Sequence, residues 1–206
     1  MSMDSRFQED ERQLISDRGF FERKLAITEK VRDIYSDLRG RLKEVLRPQA
    51  YLAPPGVDYT QGKLSGGEHH FDLPYIFLDF PRLFSRNATF AYRSIFWWGH
   101  HFLFTLILTG DFLPDYWERF LLGMDRLLGR GDFLATSLDP WEWRGGEENV
   151  QPIHAMNRAR VAEVAGQHPF LKLIRFIPFD HPALHRGTLT EEGEETFLAW
   201  EFIFCR

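Results

Sequence analysis

The chain has 206 residues, 44% of them hydrophobic and 27% charged, with a formal net charge of −5. That is enough apolar chain for a sizeable core, and the acidic balance argues against non-specific nucleic-acid binding, which needs a basic footprint. Aromatic side chains are abundant (20 Phe, 6 Trp and 6 Tyr), so the core is expected to be thick and packed ring against ring.

Cys205 is the only cysteine, which excludes an internal disulfide and multi-cysteine metal sites. The first residues, MSMDSRFQEDERQLISDRG, are charged where a signal peptide would be apolar. The longest uncharged apolar run, 94–109, holds two histidines and a glycine, and a membrane-spanning helix takes about 20 apolar residues. No polybasic segment offers a membrane surface a grip. These features set the expectation of a cytoplasmic protein with no membrane and no nucleic-acid partner.

Residues 5–46 read as helix. Ile27, Val31, Ile34, Leu38, Leu42 and Val45 form one narrow apolar stripe, backed by charges of both signs. Gly19 is a candidate break and Pro48 a stop. A narrow stripe suits packing on a sheet or on another copy of itself. Residues 47–62 form a connector around Pro54-Pro55-Gly56. A strand is expected over 73–80, ending at Pro81, which cannot donate to a ladder.

From Phe90 to Leu108 nearly every position is apolar in both parities, the pattern of strands covered on both faces. A single strand of about 20 residues would span about 66 Å, against a compact diameter of about 43 Å. The run must therefore turn or bend, and Gly99 is the residue built for it. A two-residue turn at Gly99-His100 would pair Trp98 with His101; a bulge in one curved strand is the rival.

DFLPDYWERFLLGMDRLLGRG reads as a helix with Pro114 in its first turn and Gly129 after its last. Short strands are expected at 133–136 and 141–143, a helix over 152–165, a strand over 170–177 and a helix over 191–204. Thr188 and Glu191 have capping-box spacing, although Gly193 weakens that start.

The run LPYIFLDFPRLF, then FAYRSIFWWG, then TLILTG resembles a group of uncharacterised bacterial proteins with an LPYxxLDxPR and FAxRxxFWWG pattern followed by a short strand ending in Gly. Leu73, Pro74, Tyr75, Leu78, Asp79, Pro81, Arg82, Phe90, Ala91, Arg93, Phe96, Trp97, Trp98, Gly99 and Gly110 carry the likeness, which covers about 67–110. The resemblance implies a shared fold unit and no activity. The pairs His69-His70 and His100-His101 are not part of that pattern.

Asp79 and Arg93 fall in apolar strand, where an unpaired charge is costly. With Arg82 and His100 they are the candidate catalytic or anion-binding residues. The plainer reading is an ion pair that fixes the register of two strands. His69 or His70 with Asp72 is the candidate metal set, though neighbouring strand residues face opposite ways. Pro182 between His181 and His185 argues against a regular helix there. Ser65 lies in KLSGG rather than a nucleophile elbow, and Gly145-Gly146 precede Glu147-Glu148, the wrong charge for phosphate. Trp97, Trp98, Trp141 and Trp143 read as core, or as a pocket lining or interface anchors. No cofactor is implied.

The expected fold is α+β within a single domain over 1–206: a helical segment, 5–46, and a body, 63–206. An antiparallel sheet, its core strands within 73–109, packs against several helices, with the long N-terminal helix across it. Three functions are open: a non-catalytic protein that binds a partner or forms a homo-oligomer through the N-terminal helix, a metal-assisted hydrolase with an Asp/Arg/His cleft, or a small-ligand binder with an aromatic pocket.

Overall fold

The doubly apolar run folds back on itself. In the computed structural model, which describes residues 5–156 and 158–206, it makes strands β3 (Thr89–Trp97) and β4 (His101–Leu108), paired antiparallel. Gly99 sits in the turn at φ +73°, a conformation side chains disfavour. Trp97 lies opposite His101 and Phe96 opposite Phe102. The turn thus holds three residues, Trp98 to His100, not the expected two. The reason is the face each residue takes. This register puts Phe102, Phe104, Leu106 and Leu108 on the face that carries Phe90, Tyr92 and Phe96. A slip by one would send Thr105 into that apolar layer instead. The Trp98 N–H, beyond the pairing of β3 with β4, donates to the Pro74 carbonyl of the strand on the other side at 3.1 Å.

Around this hairpin the strands β1 (Lys63–His70), β2 (Leu73–Phe84), β5 (Asp132–Ala135), β6 (Val150–Pro152) and β7 (Leu171–Ile177) complete a sheet in the order β1-β2-β3-β4-β7-β5-β6. Every neighbouring pair is antiparallel. β2 runs on past Pro81, where a strand end was expected. Its register shifts between Asp79 and Arg82, and this bulge accommodates a residue with no N–H to give. β1 carries two glycines and little strand propensity, yet forms because β2 offers an edge to pair with.

Among the described residues six α-helices accompany the sheet: α1 (Glu9–Ser16), α2 (Arg18–Val45), α3 (Leu113–Gly123), α4 (Arg158–Gln167), α5 (Pro182–Arg186) and α6 (Leu189–Trp200). The break between α1 and α2 falls at Asp17, not Gly19, because the Asp17 carboxylate accepts from the Phe20 N–H and caps the second helix. α5 forms where Pro182 argued against a helix: Pro182 stands in its first turn, which needs no N–H, and His181 caps it. α6 begins without a Thr188 side-chain cap. Gly193 serves packing there, since a Cβ would meet Leu38 and Phe104 at 2.9 Å, and the Tyr92 hydroxyl donates to its carbonyl at 2.6 Å. None of these helices is long and apolar enough to cross a membrane.

The sheet is covered on both faces, as its doubly apolar strands require. On one face α2, α3, α4 and α6 bury a large cluster that includes Leu38, Phe90, Tyr92, Phe104, Phe120 and Trp200. On the other, residues 136–149 lie across the strands as a loop. Trp143 from this loop joins Ile95, Trp97, Leu103, Phe170 and Ile174 in a second aromatic-rich cluster. Residues 141–143, expected as a strand, belong to that covering loop. Their alternation reflects two tryptophans seated on the sheet, not pairing within it.

Candidate functional site

Register brings Asp79 opposite Arg93. The Arg93 Nε and Nη2 donate to the two carboxylate oxygens at 2.5 and 2.9 Å, and the residues are 9% and 1% exposed. Trp141, Phe77 and Phe84 place their rings 4.9 to 5.3 Å from the guanidinium carbon. A bidentate partner and three ring faces are what make this burial tolerable.

The other candidates of the proposed cleft lie elsewhere. Arg82, beyond the bulge, faces Asp58 at 3.8 Å. Burial would raise the Asp58 pKa, but hydrogen bonds from the Gln61, Thr60 and Gly62 N–H groups lower it to about 2. His100 stacks on Trp97 at 3.6 Å, at the turn end of β3. Asp79, Arg82, Arg93 and His100 therefore occupy three separate places and share no cleft.

The candidate metal set also separates. The His70 ring lies against Trp143 at 3.6 Å, and burial lowers its pKa. His69 and Asp72 are exposed. Among the described residues no three His, Cys, Asp or Glu side chains gather as a metal site would need. Strand alternation is the cause, sending the members of a His pair to opposite faces.

Two charged residues that sequence reasoning passed over hold the structure together. Lys172 on β7 is 1% exposed, and its Nζ donates to the Pro140 and Glu142 carbonyls at 2.9 and 2.6 Å. Burial lowers its pKa to about 7. A lone lysine in the alternating stretch FLKLIRF was the available signal. On the helix face Asp132 is fully buried between Arg130 and Arg175, at 3.5 and 3.8 Å, and burial raises its pKa.

Two features of the helix face remain open to the outside. The first is an apolar groove of about 690 Å³ between α2, α5 and the β3–β4 turn. Phe96, Trp98, Phe102, Phe179 and Leu184 line it. Trp98 is one of the four tryptophans the sequence offers as core or pocket lining, whereas Leu184 reaches the groove because α5 forms, and Phe179 because it precedes that helix at the end of the sheet. The second is the N-terminal arm. α1 buries none of its residues, and the first buried residue of α2 is Val31. Phe7, Leu14, Ile15, Phe20, Phe21 and Leu25 are all exposed, Leu25 by 60%.

Burial, pairing and exposure in this chain are the whole basis for its function, because it matches no protein-family model, no curated protein and no solved structure.

Proposed function

We propose that this is a binding protein that associates with a second copy of itself through the arm formed by α1 and the first turns of α2. The observation that carries this reading is the unpartnered apolar surface of the arm. The stripe that seats α2 on the body, Val31 to Leu42, continues outward through Ile27, at the edge of the groove, to Phe20, which nothing covers among the described residues. A monomer seldom leaves so many large apolar side chains in one exposed tract.

Charge supports a second copy as the occupant. Glu9, Asp10 and Glu11 crowd the first turn of α1, while Arg18, Arg23 and Lys24 follow in α2, Arg18 beside Glu22 and Lys24 at 3.7 Å from Glu68, exchangeable surface pairs. An antiparallel pairing of two arms lays the acidic end of each beside the basic stretch of the other. Covering the six exposed side chains removes on the order of 600 Å² per copy. Two copies together then approach the roughly 1,200 Å² of the smaller stable interfaces.

Sedimentation velocity over a concentration series tests this. The wild type is expected to shift from one chain toward two, and Phe21→Glu/Leu25→Glu to remain at one chain with unchanged thermal stability. A wild-type mass of a single chain up to high micromolar concentration would overturn the reading.

A further inference from the structure

The groove between α2 and α5 has a one-sided chemistry. Its walls are apolar: Ile27 and Ile34 from α2, Phe96, Phe102 and Phe179 from the sheet end, Leu184 from α5. Its polar side chains are Lys30, His185 and Arg186, and no carboxylate lines it. Among the described residues neither Lys30 nor Arg186 forms an ion pair. The protein as a whole is acidic, at −5, so a groove edged only by bases stands out from its surroundings.

We infer that this groove binds an amphipathic carboxylate with a single hydrocarbon chain, the tail against Phe96, Phe102 and Phe179 and the head at Lys30 and Arg186. The tail is held by burial of apolar surface, which favours any hydrocarbon. Selectivity comes from the head, since a guanidinium and an ammonium at the rim suit a carboxylate and repel a cation. The volume of about 690 Å³ lies within the roughly 300–1,000 Å³ of small-molecule sites. That space fits one chain in a concave site better than a bilayer surface, which the net negative charge also disfavours. This inference stands apart from self-association, because Phe21 and Leu25 of the arm do not line the groove.

Isothermal titration calorimetry with sodium dodecanoate, below its micelle concentration, tests it, alongside dodecanol, dodecylamine and phosphatidylglycerol vesicles. Dodecanoate is expected to bind at least about tenfold more tightly than dodecanol, and dodecylamine more weakly than either. Lys30→Glu/Arg186→Glu, both on the surface, should erase the preference for dodecanoate while leaving dodecanol binding intact. Leu184→Trp, which fills the groove, should remove both. No binding of dodecanoate, equal binding of dodecylamine, unchanged binding to Leu184→Trp, or binding to vesicles alone would each overturn the inference. So would dodecanoate binding that appears only in the Phe21→Glu/Leu25→Glu variant, since that would make a second copy's arm the occupant.

Discussion

Arg93 owes its burial to its neighbours. Its fork is met by both oxygens of Asp79, and its flat faces by Trp141, Phe77 and Phe84. Removing one member strands the other charge among apolar groups, which typically costs about 3–5 kcal/mol, whereas replacing both is far less damaging. Arg93→Met is therefore expected to lose about that much stability in urea unfolding. Asp79→Leu/Arg93→Met should lose clearly less than the sum of the two single changes. Additive losses would show that the two residues do not act as a pair. Arg82 illustrates the opposite outcome: it sits three positions from Asp79, and the bulge gives it to Asp58 instead.

The loop at 136–149 is an element without regular structure that does the work of a layer. It is tied at its base by Thr136 and Ser137 N–H groups donating to the Asn149 carbonyl, and at its middle by Lys172. The lysine pKa of about 7 lies below the ordinary 10.5, so in the window between them the unfolded chain holds a proton that the folded chain lacks. Stability from this group is then complete above about 10.5 and is lost as pH falls toward about 7. Lys172→Met should remove that dependence: the stability of the wild type relative to the variant should decline as pH is lowered through the window. The variant also lacks the two donors to Pro140 and Glu142, so hydrogen exchange should quicken at amides within 136–149. Parallel pH profiles for both proteins would refute the role given to Lys172.

At the scale of the molecule the two faces of the sheet are finished differently. The loop face is closed by the chain's own loop 136–149, with Trp143 in the second cluster and Trp141 over Arg93. The helix face is closed by α2, α3, α4 and α6, but α2 outruns the sheet it covers. Because burial begins only at Val31, the arm contributes little to the body's core. Removing residues 1–23 is expected to leave the thermal midpoint within a few degrees by calorimetry while abolishing self-association. A large loss of stability would mean that the arm folds back on the body.

What the sequence determined by itself was local in origin. Apolar positions in both parities of 90–108 require a sheet buried on both faces, the stripe from Ile27 to Val45 requires a long helix, and Gly99 marks where the apolar run must turn or bend. Each follows from periodicity or from one residue's backbone freedom, which neighbours in the chain suffice to set. The tertiary structure decided everything that depends on a distant partner. It chose the three-residue turn, through which side chains face the helices. It joined Asp79 to Arg93, paired Arg82 with Asp58 away from them, left His100 on Trp97, and laid Pro140 and Glu142 over Lys172. It also decided where the apolar stripe of α2 stops being covered, since that point is set by the edge of a sheet whose strands lie far along the chain. An unbroken stripe reads the same whether or not something packs against it, which is why its exposed end, the basis of the proposed association, was visible only in the folded protein.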